Sequence, residues 1–474
     1  MSFSRRSFLA ASAAFVAAPA FGQVPASGAV DVIIVGAGAA GIAAARKIAP
    51  TGKRVVLVEA SDRIGGRCFT DTRSFGMPYD RGAHSLHSPD VNPLAKLARG
   101  AGLEVYPAPP GQKLRIGRRN GREGELEDFL ASLVRANRAI SDVARGKSDV
   151  AAAAALPKTL GEWRNTVEFM LGPYACGKDL TDISAADLAK SADRDVNAYC
   201  RQGLGALLVK LAEGIPLRLS APVRAIDSFG RGRVEVQTSV GTLTGRFAIV
   251  TVSTNILAAS KIRFLPELPK RQQEAAAKLT LSSYDRVALE LDGNPLGLDP
   301  DDLVFEKSEQ QRTAAMLANV SGSSLVFIDV GGKFGRDLAA QGEPAMVAFA
   351  TDWLANLYGN EIKKAVKRSH ATRWNQEPWV LGAMSAAPPG AQPLRKVLME
   401  PVRDRVFFAG EAAHETLWGT VDGAWESGER AATEVLKRMG IGLTPRTSSP
   451  APRRERQQRQ RQPTPANIPF RDFR

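Results

Sequence analysis

Asp31-Val32-Ile33-Ile34-Val35 is a short apolar run dominated by β-branched residues, the pattern of a strand buried on both faces. Gly36-Ala37-Gly38-Ala39-Ala40-Gly41 follows at once, and residues 42–48 are Ala-rich and helix-favouring. Arg54-Val55-Val56-Leu57-Val58-Glu59 reads as a second strand that ends in an acid. Strand, glycine turn, helix, strand and acid thus fall within about thirty residues, as a dinucleotide-binding βαβ unit requires. A related pattern closes the chain. Arg405-Val406-Phe407-Phe408-Ala409-Gly410-Glu411 is a strand ending at an acid, and Gly419-Thr420-Val421-Asp422-Gly423-Ala424 begins an Ala-rich helix that continues through Ser427-Gly428. Residues 187–198 and 149–156 read as helix or loop.

Each residue type in the first unit has a physical reason. Gly36 permits the tight turn, Gly38 lets the backbone approach a pyrophosphate, and Gly41 lets helix and strand pack closely. The helix start aims free amides and the positive end of its dipole at the phosphates. Glu59 offers acceptors to ribose hydroxyls. Ala40 in the turn and Ala60 after the acid complete the local set of candidate contacts.

The 474 residues are 44% hydrophobic and 24% charged, which fits a globular protein of two to three domains. Three cysteines, Cys68, Cys176 and Cys200, exclude a disulfide framework. No run of 18 uncharged apolar residues appears, so no transmembrane helix is expected. The net charge of +14 suggests nucleic acid until its distribution is read. Residues 441–474 hold eight arginines against Glu455 and Asp472, for +6. Arg5 and Arg6 add +2, leaving a mild +6 on residues 31–440. The bias sits in an end segment rather than on one face, which argues against nucleic-acid binding.

Ser4-Arg5-Arg6-Ser7-Phe8-Leu9 precedes a short apolar stretch ending in small residues, the layout of a secretory signal over residues 1–22. The paired arginines resemble a twin-arginine export signal. That resemblance implies the twin-arginine machinery as a partner and a periplasmic or secreted location. The route carries folded proteins, so a cofactor can be inserted before export. The tail, residues 441–474, is rich in Arg, Gln, Pro, Ser and Thr and is expected to be disordered.

Beyond Glu59 the chain reads Ala60-Ser61-Asp62-Arg63-Ile64-Gly65-Gly66-Arg67. This resembles the extended fingerprint of the flavin-containing amine oxidase family, and the likeness covers most of residues 31–440. It implies FAD as cofactor, with Arg67 against it. Arg81-Gly82-Ala83-His84-Ser85-Leu86-His87 resembles the segment passing the isoalloxazine, which assigns Gly82, Ala83 and His84 to the cofactor. Ser220-Ala221-Pro222-Val223 resembles the strand whose valine, here Val223, meets the adenine half. Ala248-Ile249-Val250-Thr251-Val252-Ser253 resembles a later strand of the cofactor domain. Residues 262–269 resemble the passage into the substrate domain, and Trp374-Asn375-Gln376-Glu377-Pro378 resembles the Trp motif beside the flavin. In the closing block Gly410 and Glu411 would meet the ribityl chain, while amides near Thr420 and Val421 would face the flavin pyrimidine end.

Three departures matter. Where many amine oxidases carry a strand Lys, the sequence places Arg286, which stays charged and cannot serve as a tunable base. It could instead bind a substrate carboxylate bidentately. The two aromatic cage positions fall at Thr420 and near Ala383, so the cage is expected to be absent, with Trp418 as a partial replacement. No Cys lies in the segment just before Pro388-Pro389-Gly390, where some relatives attach FAD, so the cofactor is expected to be non-covalent. His87 is a candidate polar contact beside the flavin. His84 and His87 lack a third ligand cluster, and no metal is expected.

The fold implied is α/β: a Rossmann-like FAD-binding domain (residues 30–104, 200–265 and 395–440) interleaved with a mixed α+β substrate domain (105–199 and 266–394). The implied function is oxidation of an amine or amino acid by hydride transfer to FAD, with O2 as acceptor and Arg286, His87 and Trp374 as catalytic candidates. A tryptophan 2-monooxygenase-like reaction belongs to the same class. The alternatives are a dehydrogenase or desaturase passing electrons to a quinone or protein carrier, and a flavin-binding protein without turnover. Substrate and oligomeric state stay open.

Overall fold

The computed structural model describes residues 30–441, except 193, 195 and 231. The expected export signal and residues 442–474 of the expected tail lie outside the described residues.

The first apolar run forms β1 (Val30–Val35). Its side chains alternate between two cores: Val32 and Ile34 face one, and Ile33 and Val35 the other. A strand so placed needs a continuous apolar run, which explains the missing polar alternation. The glycine turn leads into α1 (Ala39–Ile48), and the chain returns as β2 (Val55–Val58), parallel to β1. On its other side β1 pairs in parallel with the strand Gly241–Val250, which also takes the late strand Val406–Phe408. These belong to an eight-stranded mixed sheet.

The last helix, Val421–Arg438, lies along α1. Two glycines set this packing. A Cβ on Gly41 would come within 1.9 Å of the Gly36 carbonyl oxygen, and one on Gly428 within 2.1 Å of the Ala40 carbonyl oxygen. Turn, first helix and last helix therefore interlock only because both positions lack a side chain.

A second, seven-stranded sheet draws on residues 113–120, 284–331 and 366–371. Its strands Tyr284–Leu291 and Leu325–Gly331 run antiparallel, in a register that sets Arg286 opposite Asp329. A third sheet joins Ser85–His87, Asn197–Cys200 and Val105–Pro107. Its strands come from both sides of the boundaries expected at 104/105 and 199/200. The stretch 149–156 holds only the short helix Ala152–Ala155. The stretch 187–198 is divided between the helix Ala185–Lys190 and the start of the strand Asn197–Cys200. Among the described residues no helix is long and apolar enough to cross a membrane.

Candidate active site

A cavity of about 1110 Å³ runs from the glycine turn to the second sheet. At its nucleotide end, Gly36, Gly38, Ala40, Glu59, Ala60 and Val223 line it. Gly36 adopts φ +105°, which L side chains rarely take, and its Cβ would strike the Thr251 hydroxyl at 2.5 Å. Gly38 caps α1 with no side-chain hydrogen bond, and the first turn holds no acid. The helix amides stay available to an anion. A Cβ on Gly38 would meet only the Gly65 carbonyl oxygen, at 3.9 Å, so the space before it is open. Glu59 is fixed at the end of β2, where Oε2 accepts from the Ala37 amide at 2.7 Å and Oε1 from the Ser61 amide at 2.9 Å. Gly41 stands apart from the cavity, closing α1 onto the turn behind it. This donor and acceptor set fits FAD: free amides for the pyrophosphate and a fixed carboxylate one strand away.

In the middle of the cleft, Arg67 and Glu411 meet. Arg67 Nη1 lies 2.7 Å from Glu411 Oε1 and also donates to the Ala383 carbonyl. Glu411 further accepts from the Ser385 hydroxyl at 2.6 Å and the Gly419 amide at 2.8 Å. Burial alone would raise the Glu411 carboxyl, but the Arg67 charge and the Ser385 hydrogen bond hold it below its usual range. The sequence reading directed both side chains at the cofactor. The structure joins them to each other, with Gly410, Thr420 and Val421 beside them on the cavity wall.

Trp374, Gly82, Ala83 and His84 line the next part. The Trp374 indole donates to the Arg81 carbonyl at 3.1 Å, and its amide donates to Asp285 Oδ1 at 2.7 Å. Burial pushes the Asp285 carboxyl up to about 7, and its Oδ2 has no partner. His84 Nδ1 pairs with Asp80 Oδ2 at 2.9 Å, and its ring stacks on Tyr199 at 4.7 Å. His84 Nε2 is buried without a partner. His87 Nδ1 donates to Asn197 Oδ1 at 2.6 Å. Burial first, and then the Arg194 charge, lower the His87 pKa, which favours the neutral ring. Among the described residues no three His, Cys, Asp or Glu side chains gather as a metal site.

At the far end the structure corrects the expectation for Arg286. Its fork is occupied by Asp329, with Nε 2.8 Å from Oδ1 and Nη2 2.9 Å from Oδ2. Nη1 donates to the carbonyls of Asp80 and Gly82 at 2.9 and 3.2 Å. Four of its five donors are thus spent within the protein, and a substrate carboxylate finds no bidentate site there. Burial works against the Arg286 charge, but Asp329 outweighs it and holds the guanidinium above its ordinary range.

Thr420 lines the cavity, as does Ala383, so the two cage positions carry no rings. Other rings line this chamber: Tyr174, Tyr199, Tyr284 and the fully buried Trp418. Sequence reasoning missed Asp329, the three tyrosines and Arg194. For Asp329 a signal existed, since an acid within Leu325-Val326-Phe327-Ile328-Asp329-Val330 is buried and must have a partner. Tyr174 follows a Pro inside a helical turn, Met170–Tyr174, and carries no such signal.

A family model described as flavin containing amine oxidoreductase matches residues 39–436, which span the cleft from α1 to the last helix. The chain belongs to this family. Among members of the family, lysine-specific histone demethylase 2 of Homo sapiens is 26% identical over 85% of this chain and 53% of its own. Polyamine oxidase 3 of Oryza sativa subsp. japonica is 27% identical over 86% of this chain and 90% of its own. The chain spans about half the length of the curated demethylases it matches. Cyclohexylamine oxidase from Brevibacterium oxydans IH-35A shares the fold, with a TM-score of 0.75 at 23% identity over 87% of this chain and 100% of the other. A putrescine oxidase structure with putrescine bound has a TM-score of 0.73 at 20% identity, over 86% of this chain and 99% of its own. FAD is the cofactor of this family, and the cradle described above fits it.

Proposed function

We propose that this chain is an FAD-dependent oxidase of a small amine or amino acid, with O2 as the electron acceptor. The observation that carries this reading is the continuity of the cavity, which joins the dinucleotide cradle to a chamber lined with rings and ionisable groups. Bound FAD supplies the two-electron chemistry of C–N oxidation. The chain's own residues position and seclude the substrate. Trp374 and the tyrosine rings form apolar walls that exclude water, and His87, kept neutral by burial, offers a polar contact. The Arg286–Asp329 pair adds a polar surface of no net charge. Relatives named for polyamines, cyclohexylamine and putrescine make such amines the first compounds to test.

A dehydrogenase or desaturase passing electrons to a quinone or protein carrier is the second reading. It is favoured by the Arg286–Asp329 pair, because a locked guanidinium stands where many amine oxidases carry Lys. Export in the folded state by the twin-arginine machinery, to the periplasm or beyond, is proposed from the Arg5-Arg6 signal alone. The test of function is anaerobic bleaching of the yellow holoprotein by a panel of amines, amino acids and non-amine alcohols, followed by O2 or a quinone. Bleaching by an amine or amino acid and rapid recovery in O2 is expected. Bleaching by non-amines alone, or recovery with a quinone alone, would select the second reading.

A further inference from the structure

Behind the Arg67–Glu411 pair lies a second ion pair that stands off the cavity wall. Asp187, on the helix Ala185–Lys190, and Arg395, on the helix Leu394–Met399, meet with both side chains wholly buried. Arg395 Nε donates to Asp187 Oδ1 at 2.8 Å, and Nη2 donates to Oδ2 at 2.7 Å. Asp187 Oδ2 also accepts from the Ala387 amide at 2.8 Å. Two charges buried this deeply are costly to desolvate, and an apolar pair of similar volume often serves stability as well.

The remaining nitrogen of Arg395 turns toward the cofactor cleft. Nη1 donates to the Ser385 hydroxyl oxygen at 3.1 Å and to the Ala412 carbonyl at 3.2 Å. A guanidinium cannot accept, so the Ser385 proton is directed the other way, to Glu411 Oε2 at 2.6 Å. A directed polar chain thus runs from Asp187 through Arg395, Ser385 and Glu411 to Arg67. Burial opposes the Glu411 charge, and Arg67, the Ser385 hydroxyl and Arg395 together hold it ionised. Arg67 touches that carboxylate directly, whereas Arg395 reaches it through one hydroxyl. Arg67 lines the cavity, and among the described residues only its Nη1 is engaged, by Glu411 and the Ala383 carbonyl. Held at Nη1 alone, Arg67 keeps its orientation only while Glu411 stays ionised and in place.

We propose that Arg395 is a positioning residue for FAD: through the Ser385 hydroxyl it fixes Glu411, and so holds Arg67 with its other donors turned to the cofactor. Asp187 in turn fixes Arg395. The fork is needed for this, because a Lys can keep the charge and meet Asp187 but cannot span Asp187 and Ser385 in one plane. This role belongs to the cradle and is the same whichever substrate the chamber takes.

FAD is removed from full-length wild type, Ser385→Ala, Arg395→Lys and the double variant Ser385→Ala/Arg395→Lys. Rebinding is followed by quenching of flavin fluorescence, well below the melting temperature of every apoprotein. Each single variant should bind FAD about ten-fold more weakly, the scale of one hydrogen bond to a charged group. The double variant should bind no more weakly than the weaker single one, because both changes break the same chain. If Arg395→Lys does not fold, the apolar pair Asp187→Leu/Arg395→Met takes its place, with the same expected loss. Unchanged FAD affinity in Ser385→Ala overturns the proposal. A lower melting temperature at unchanged FAD affinity in Arg395→Lys reduces the ion pair to a structural strut and overturns it too. So do losses that multiply in the double variant, which would show Arg395 and Ser385 acting independently. No substrate enters this assay, so failure of the amine-oxidase reading and failure of the positioning role are distinguishable.

Discussion

Arg286 and Asp329 sit directly across from each other on adjacent antiparallel strands, and their side chains meet through two hydrogen bonds of 2.8 and 2.9 Å. Both are about nine-tenths buried. Removing one partner strands the other's charge, which costs about 3–5 kcal/mol for a buried pair. Arg286→Met and Asp329→Asn should each lower urea stability by about that much, Asp329→Asn slightly less because its amide can still accept from Tyr284. The double variant Arg286→Met/Asp329→Leu should lose less than either single one. A double variant as unstable as the sum of the singles would show that the two residues act independently.

Two carboxyls should shape the pH profile in opposite directions. Glu411 is held below its usual range in the fold. It therefore contributes stability above the unfolded carboxylate pKa, about 4.3, and this is lost as pH falls through the folded value. Asp285, pushed up to about 7, does the reverse. Between the unfolded pKa, about 3.9, and 7 the folded state holds the extra proton, so stability declines as pH rises through that window. Thermal melts from pH 3 to 8 should show Glu411→Gln flattening the acid limb. Asp285→Asn should remove the decline toward neutral pH. Unchanged limbs in both variants would contradict the assignment.

Gly38 and Gly428 should fail in different ways. A side chain at Gly38 enters open space in the cleft, so Gly38→Val should lose flavin absorbance while the apoprotein keeps its melting temperature. A side chain at Gly428 meets the Ala40 backbone at 2.1 Å. Gly428→Ala should cost about 1–3 kcal/mol through overpacking, read by urea unfolding of the apoprotein.

Flavin should leave the protein on denaturation. No Cys lies in the segment just before Pro388, and the cleft residues would hold FAD by hydrogen bonds and packing. Acid precipitation should leave the yellow colour in the supernatant, whereas colour that stays in the pellet would reveal a covalent link.

Replacing Arg5 and Arg6 together by Lys should leave the protein in the cytoplasm. Fractionation of cells producing the two forms checks this. Equal amounts outside the cytoplasm would remove the basis for twin-arginine export.

The nucleotide half was legible because its chemistry is local. Gly36, Gly38, Gly41 and Glu59 do their work within one βαβ unit, and a short window of sequence holds the whole geometry. The chamber was not, because its partners come together only through strand register and loop packing. Arg286 could be placed on its strand, but the register that brings Asp329 to it is a property of two strands and the connection between them. Arg194 lies in Asp193-Arg194-Asp195, which reads as a solvated charge run, and only its place on the cavity wall beside Trp418 distinguishes it. Arg67 and Glu411 were each placed at the cofactor, but their mutual pairing across the chain could not be read from either motif.

The ion pair between Arg67 and Glu411 also sets an order of events during synthesis. The cavity takes its walls from Val35 through Ala424, so a ribosome-bound chain lacks Glu411, the partner of Arg67, and the wall from Gly410 to Ala424 until its closing segment has emerged. At about 5–20 residues per second this leaves the first βαβ unit waiting roughly 20–80 s for the rest of its site. The complete cleft is therefore expected only in a finished chain. A truncated polypeptide keeps its glycine turn but lacks the last helix that packs along α1, which leaves the Ala40 face of α1 uncovered.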